Sequence, residues 1–162
     1  MAHAKLINDV TDLVWLLRGF NSDLKQRVFN EVLSEWKAVE DIHAKYGDEG
    51  VKALAYFEKM KLVETRWGMP GGEKPQKEYL GNYNSFHIKI VSTIDKISDA
   101  FVVALLEDNE FNDIENKIYD WIEDGKLARE VEIKFNLTSV KLKAIIKRSD
   151  RLAYKGMRIE RT

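Results

Sequence analysis

The chain has 162 residues, of which 44% are hydrophobic and 33% charged, so it can bury one sizeable core or two small ones. No apolar run approaches the roughly 20 residues that cross a bilayer, and no signal peptide is visible at the start. The sequence contains no cysteine, which excludes disulfides, thiolate metal sites and cysteine nucleophiles and is typical of a reducing compartment. These observations predict a cytoplasmic protein without a membrane partner.

The net charge of −1 is the sum of two very unequal parts. Residues 126–162 carry 11 Lys and Arg against four Asp and Glu, a net charge of +7, whereas residues 1–125 carry 15 against 23, a net charge of −8. This asymmetry predicts that the basic end of the chain binds a polyanion. The alternative is a basic segment that is simply solvated or that pairs with the acidic part of the chain.

The first half of the chain has the pattern of helices followed by a hairpin. Apolar residues at helical spacing predict helices over residues 10–19 and 24–33. A short helix over residues 38–46 ends at Gly47, and a further helix runs over residues 48–59. Two helices separated by a glycine-containing turn are typical of a helix-turn-helix motif.

The segment after these helices predicts a wing. Residues 62–67 and 78–80 have strand composition, and the loop between them holds both prolines and three of the nine glycines of the chain. A hairpin directly after the second helix of a helix-turn-helix is a wing, so this part predicts a winged helix. Residues 86–90 alternate in polarity and are a candidate further strand for the wing sheet.

The second half repeats this order after a central apolar helix over residues 92–108. Helices are predicted over residues 109–124, 127–135 and 139–147, the last capped by Thr138. A tight hairpin around Lys155 and Gly156 completes a second, truncated winged helix.

The predicted fold class is therefore mainly α with small β-hairpin wings, in the form of two tandem winged helix-turn-helix units. The predicted domains are residues 1–91, the central dimer or linker helix 92–108, and residues 109–162.

The second unit supplies the first set of candidate DNA-binding residues. A recognition helix enters the major groove by its N-terminal half, and residues of the following hairpin reach phosphates. The candidates on the helix, with Ala144 beside them, and on the hairpin are Ser139, Lys141, Lys143, Lys147, Arg148, Arg151, Lys155 and Arg158. The alternative is a lysine-rich, solvated helix face.

The first unit supplies a second set, although its recognition helix begins with Asp48 and Glu49, which repel the DNA backbone. The candidates on the outer face of the helix and on the wing are Lys52, Tyr56, Lys59, Arg66, Lys74 and Lys77. The alternative is an interaction or dimer module that never touches DNA.

Several stretches resemble archaeal, largely methanogen, regulators of the arsenic-repressor (ArsR) type. These stretches are residues 50–67, 78–79, 83–88, 142–152 and 155–160, and the resemblance spans roughly residues 10–161. It implies a winged-helix transcription regulator that is usually a homodimer. Many members of the wider group sense metals through cysteines, which this chain lacks. Its histidines (His3, His43 and His87) are far apart, so we expect no metal and no cofactor.

The leading hypothesis is thus a sequence-specific regulator that binds double-stranded DNA as a homodimer. The N-terminal helix (Leu13, Trp15, Leu16, Phe20) and residues 94–106 are the candidate dimer surface. Trp15 and Trp36 are candidate interface residues, although aromatic residues at such positions are more often core residues. The alternative is a winged-helix protein-interaction module of a transcription-related complex, which a weak salt dependence of DNA binding would favour.

Two further functions have less support. No Gly-rich phosphate loop, nucleophile elbow or His-Glu-x-x-His motif is present, so we expect no enzyme. RNA is another polyanion that the basic end could bind, although no aromatic-rich sheet motif supports it. A small-molecule effector of unknown identity could bind near Phe86, Ile88, Phe101 and Tyr119.

Overall fold

The computed structural model describes residues 3–162; Met1 and Ala2, the first residues of the predicted domain 1–91, lie outside the described part. The chain forms two compact units. Unit 1 contains the described residues up to Ile7 together with Gly19–Lys89, and unit 2 contains Asn8–Arg18 together with Ile90–Thr162. None of the helices in the described part is long and apolar enough to cross a membrane.

The described residues form seven helices and eight strands. In chain order they are β1 (His3–Ile7), α1 (Asp12–Gly19), α2 (Asp23–Ser34), β2 (Lys37–Ala38), α3 (Val39–Lys59), β3 (Val63–Gly68), β4 (Gln76–Gly81), β5 (Tyr83–Ile88), α4 (Ile94–Leu105), α5 (Asp108–Ile122), β6 (Lys126–Leu127), α6 (Ala128–Phe135), α7 (Ser139–Arg148), β7 (Leu152–Lys155) and β8 (Arg158–Arg161). With 54% helix and three small sheets, the fold is mixed α/β, so the prediction of a mainly α fold was wrong. The prediction missed β1 and the two-residue strands β2 and β6, which are too short to give a period-two pattern.

In unit 1, α2 and α3 are followed by the antiparallel hairpin of β3 and β4, and β2 pairs on the other side of β4. The predicted hairpin is confirmed, with Val63 opposite Gly81 and Gly68 opposite Gln76. The core holds an aromatic cluster in which the Phe20 ring lies 5.4 Å from both Phe29 and Phe57. Phe20, predicted as a dimer-surface residue, is therefore a packing residue of unit 1.

The segment that the sequence predicts as a helix-turn-helix forms one helix, α3, which is interrupted at Gly47. Gly47 has φ 69° and ψ −160°, a backbone conformation that side-chain-bearing residues rarely adopt. The two helices predicted over residues 38–46 and 48–59 are the two parts of α3 on either side of this break. The sequence prediction of a stop at Gly47 is thus confirmed.

Replacing Gly47 with alanine is expected to lower the free energy of unfolding by about 1–3 kcal/mol, because a Cβ must then be held in a strained backbone conformation. Apart from its chain neighbours and the backbone of its own helix, nothing lies within 4 Å of the added Cβ, so the cost is conformational and not a clash with other parts of the fold. Urea unfolding measures it. Gly71→Ala, in the exposed wing loop without a positive φ, is the matched control and should change stability by less than about 0.5 kcal/mol. Equal effects of the two variants would contradict this account.

The strand predicted over residues 86–90 exists as β5 but does not join the wing sheet. It pairs in parallel with β1, with Leu6 opposite His87 and Ile7 opposite Ile88. That part of the prediction was wrong because β1 precedes β5 by about 80 residues, and a partner so distant leaves no local signal.

Unit 2 has the same order of elements as the part of unit 1 from α2 to β4: a helix (α5), a short strand (β6), two helices (α6 and α7) and a hairpin (β7 and β8). The strand orders also correspond, since β6-β8-β7 in unit 2 matches β2-β4-β3 in unit 1. Thr138 caps α7 as predicted, since its Oγ1 accepts a hydrogen bond of 3.1 Å from the backbone N–H of Lys141. Helix α4, and α1 as far as Arg18, also belong to unit 2. The division into residues 1–91, 92–108 and 109–162 stays a prediction.

Candidate nucleic-acid interface

Helix α7, the recognition helix favoured by the sequence, is largely covered in the structure. The buried side chains of α7 lie on several sides of the helix: Leu142, Ala144, Ile145, Ile146 and Arg148. Helix α4 packs along it and buries Ala100, Val103 and Ala104. Ala144, expected beside the exposed candidates, is fully buried. Of the candidates on α7, Ser139 and Lys143 are exposed, and these two side chains leave only a narrow strip that could contact a DNA groove.

Arg148 is a buried residue that joins α7 to the C-terminal end of α4. Its guanidinium donates hydrogen bonds of 2.8 Å to the carbonyl oxygens of Val103 and Leu106 and one of 2.9 Å to Asp108. It also lies 4.3 Å from the ring centroid of Phe111. The last carbonyls of a helix lack partners within the helix, so Arg148 satisfies groups that would otherwise be buried and unpaired. These contacts make Arg148 a structural residue of unit 2.

Two of the α7 lysines face acidic residues of α1 and α4. Lys147 Nζ lies 2.6 Å from Asp12 and 4.4 Å from the centroid of the Trp15 ring, and Lys141 Nζ lies 3.9 Å from Asp99. The Trp15 indole is thus an internal contact of unit 2.

Asp9 adds negative charge beside these lysines. Burial tends to raise the pKa of Asp9, but hydrogen bonds from Thr11 and the charges of Lys147 and Lys143 outweigh it and hold this pKa below its ordinary value. The α7 lysines are therefore partly neutralised by acids within their own unit.

The basic residues of the second hairpin also have internal partners. Arg151 bonds to the buried Glu115 at 2.6 Å, Lys155 lies 3.0 Å from Glu160, and Arg158 donates to the Gly125 carbonyl at 2.9 Å. Residues 107–124 bring eight acids and one base into the same unit, which carries 14 Lys and Arg against 16 Asp and Glu, a net charge of −2. These contacts agree with the alternative interpretation of the charge asymmetry, in which the basic end of the chain pairs with acidic residues of the same chain.

Helix α3 of unit 1 presents an open stripe. Asp48, Lys52 and Ala55 are exposed on one helical face, with Lys59 half-buried one turn further on. Glu49 and Tyr56 flank the stripe. The opposite face of this part of α3 is buried in the core of unit 1 through Gly50, Ala53, Leu54 and Phe57. This geometry is the one a recognition helix needs.

The hairpin of β3 and β4 beside α3 is rich in ion pairs. Lys77 Nζ bonds to Glu58 of α3 at 2.8 Å, and these hydrogen bonds raise the pKa of Lys77 above its ordinary value. Three further candidates have carboxylate partners: Arg66 pairs with Glu78 at 2.8 Å, Lys74 with Glu40 at 3.0 Å, and Lys52 with Glu49 at 3.5 Å. Residues 48–78 carry six Lys and Arg and six Asp and Glu, so this segment of the chain has no net charge. The pairs of Lys52 with Glu49 and of Lys74 with Glu40 are exposed and therefore weak, so these two cations can be shared with a phosphate.

Sequence reasoning did not single out the exposed apolar residues of the hairpin of β3 and β4. Trp67 is 73% exposed and Met69 is 56% exposed. The other tryptophan of this region, Trp36, is half-buried and lies 4.1 Å under the guanidinium of Arg66. The signal that could have found Trp67 is its place at the end of a strand next to a Gly- and Pro-rich loop.

Helix α4 has a second, unpartnered apolar face opposite the one that packs on α7. Ile94, Phe101, Val102 and Leu105 are exposed to 85%, 39%, 49% and 67%, and together with Ile97 and Ser98 they line a shallow groove. Their spacing along the helix puts them on one side. The predicted dimer segment, residues 94–106, thus includes a continuous exposed apolar stripe, whereas Leu13 and Leu16 of the N-terminal helix are half-buried.

Among residues 3–162, no three His, Asp or Glu side chains converge in a metal-binding arrangement. His43 is exposed, and its Nε2 lies 3.0 Å from Asp48. His87 is exposed on β5.

One comparison with known proteins gives a match. A family model described as ArsR transcriptional regulator matches residues 7–162, which is nearly the whole chain and includes both units. Searches among curated proteins and among solved structures found no match.

Proposed function

This chain belongs to the ArsR transcriptional regulator family, and we propose that it regulates transcription by binding a specific double-stranded DNA sequence as a homodimer. The observation that carries the proposal is the open α3 stripe with its adjacent hairpin, in a chain whose family match covers both units. We assign no catalytic role to the chain. The small-molecule effector and the cytoplasmic location stay predictions.

The proposal includes two tandem winged-helix units. It is supported by the shared order of helix, short strand, two helices and hairpin, and by the corresponding strand orders β2-β4-β3 and β6-β8-β7. Pairing of the short first strand with the last strand of the hairpin is what attaches a wing to its helices in each unit.

We assign DNA reading to α3 of unit 1 and not to α7 of unit 2. The α3 stripe offers Lys52, Tyr56 and Lys59 to a major groove, with Arg66, Lys74 and Lys77 on the wing for the backbone. Glu49 at the start of this part of α3 is compatible with reading, since a carboxylate can accept a hydrogen bond from the amino group of cytosine. In unit 2, Ser139 and Lys143 are the exposed candidates of α7, and Arg148 is left out of the proposed interface because it is buried.

We assign dimerisation to the exposed face of α4. A helix that is apolar on both sides is normally buried on both sides, and α7 covers one side of α4. A second copy of the chain is the proposed occupant because a two-fold axis sets the same stripe against itself without introducing charge. The dimer would then require a palindromic site with a fixed half-site spacing.

The protein-interaction module remains the second candidate function. The observation that favours it is the absence of net charge on residues 48–78, because most DNA-binding surfaces are clearly basic.

Titration of the protein against duplex DNA from its own promoter and against a scrambled duplex, followed by fluorescence anisotropy, tests the proposed function. We expect the promoter duplex to bind about a thousandfold more tightly than the scrambled one. Equal affinity for the two duplexes, or no binding at low salt, would contradict sequence-specific regulation and favour the interaction module.

A further inference from the structure

Two exposed apolar side chains, Trp67 and Met69, lie near the tip of the hairpin of β3 and β4, on a surface that is otherwise rich in charge. Trp67 is the penultimate residue of β3, and Met69 begins the loop, where its carbonyl accepts a hydrogen bond of 3.0 Å from the N–H of Gly72. Three tryptophans make ring contacts: Trp15 with Lys147, Trp36 with Arg66, and Trp121 with Phe135. Within the described residues no such ring contact involves Trp67, which is 73% exposed. A tryptophan so far from the core does not contribute to the stability of unit 1 by burial.

The strand register places Trp67 on the side of the hairpin that meets α3. Trp67 lies opposite Lys77, and Thr65 lies opposite Tyr79. Residues directly opposite each other, and residues two apart on one strand, share a face of the sheet. Lys77 reaches Glu58 of α3 from this face. The exposed indole therefore lies on the same side of the wing as the helix that we propose reads DNA.

The charge of this surface determines what kind of contact it needs. Affinity for duplex DNA usually comes in large part from cations that displace counterions from phosphates. Residues 48–78 carry no net charge, and four of the candidate cations have carboxylate partners within 3.5 Å. A larger share of the binding must then come from contacts that do not depend on charge. Exposed aromatic and thioether side chains are suited to this, since apolar side chains are the wedges that proteins insert between base pairs in the minor groove.

We propose that Trp67 and Met69 form an apolar wedge that enters the minor groove of double-stranded DNA beside the site read by α3 and partly unstacks one base step. This inference rests on the proposed function. Beyond the proposed function, it identifies two apolar side chains as DNA contacts and predicts that the bound DNA is deformed. Base steps that unstack easily, such as TA, would then be preferred at the position of the wedge.

The test compares Trp67→Ala and Met69→Ala with Met157→Ala, which removes an 80% exposed methionine from the hairpin tip of unit 2. Affinity for the promoter duplex is measured by anisotropy at two salt concentrations. Unstacking is measured by the fluorescence of 2-aminopurine placed at successive steps of the duplex. Thermal unfolding of each variant shows that the fold is kept, and Trp67→Phe, which retains an aromatic ring, is included as a conservative replacement.

We expect Trp67→Ala to weaken binding by about tenfold or more, the effect of removing one aromatic side chain that stacks on a base, with an unchanged salt dependence. Trp67→Phe should restore most of the affinity, Met69→Ala should weaken binding less than Trp67→Ala, and Met157→Ala should have no effect. The 2-aminopurine signal should rise at one step with the wild type and not with Trp67→Ala.

Tight binding by the wild type with unchanged affinity of Trp67→Ala would overturn the wedge and leave the proposed function intact; Trp67 would then be a candidate contact for a protein partner. Equal losses for Trp67→Ala and Met157→Ala would also overturn it. Failure of the wild type to bind the promoter would reject the proposed function itself, and the wedge with it.

Discussion

The Arg148→Met variant is expected to lose about 3 kcal/mol of unfolding free energy, because it leaves buried carbonyl groups without donors. Methionine fills a similar volume, so the loss reports the hydrogen bonds to the Val103 and Leu106 carbonyls and not a cavity. Against a typical stability of about 5–15 kcal/mol this is a large fraction. Urea unfolding followed by circular dichroism measures the difference.

Arg129→Met is the matched control, since Arg129 is exposed on α6, and its effect should stay below about 0.5 kcal/mol. The experiment also separates two roles for Arg148. If it contacted DNA, as the sequence suggested, the variant would lose DNA affinity while keeping its stability. That result would contradict the structural role assigned here.

The ion pair between Arg148 and Asp108 predicts that the stability of the protein depends on pH. The nearby charge of Arg18, with that of Arg148, holds the pKa of Asp108 below its ordinary value. A carboxyl group with a lowered folded pKa stabilises the protein above its unfolded pKa, and the stabilisation is lost as the pH falls through the folded value. Because the side chain of Asp108 is 80% exposed, Asp108→Asn should reduce the free energy of unfolding only slightly at neutral pH. In acid, where the carboxyl group is protonated, the replacement should make no difference.

The Phe101→Asp variant is expected to raise the dissociation constant of the homodimer by two or more orders of magnitude. A carboxylate in the middle of the α4 stripe would have no partner in an apolar interface, at a cost of about 3–5 kcal/mol. Phe101 is 39% exposed, so the fold of unit 2 should tolerate the change. Sedimentation velocity over a range of micromolar concentrations measures the dimer and monomer populations.

Ile133→Asp is the matched control for this experiment, since Ile133 is a 72% exposed apolar residue on α6, outside the α4 stripe. It should leave the dimer intact. Because a dimer engages two half-sites, Phe101→Asp should also weaken binding to the promoter duplex, and Ile133→Asp should not. A wild-type protein that is monomeric at micromolar concentration, or equal effects of the two variants, would contradict the assignment of α4 as the dimer helix.

Local signals in the sequence predicted much of the fold. Apolar spacing and caps placed the helices, glycine marked the break at residue 47, and the Gly- and Pro-rich loop marked the first hairpin. Lys155 and Gly156 marked the second hairpin, where Gly156 has φ 60°. These features depend on neighbours within a few residues, which is why a single sequence reveals them.

The covering of α7 could not be predicted in this way. Its lysines look like a solvated basic face along the chain, but their partners Asp12 and Asp99 lie 135 and 42 positions away. The second hairpin is similar, since Arg151 meets Glu115 only when α5 packs beside it. Basic and acidic residues that are separated along the sequence therefore lie next to each other in the folded unit. For this reason the proposed DNA-contacting helix is α3 and not α7.

The most direct test of the account compares two double variants in titrations of the promoter duplex at several salt concentrations. Lys52→Ala with Lys59→Ala changes the α3 stripe, and Lys141→Ala with Lys143→Ala removes the same number of charges from α7. If α3 reads DNA, the first pair should weaken binding about tenfold or more and reduce the salt slope by about one for each lysine that meets a phosphate, and the second pair should change little. Loss of binding with the second pair and normal binding with the first would contradict the assignment and return DNA reading to unit 2.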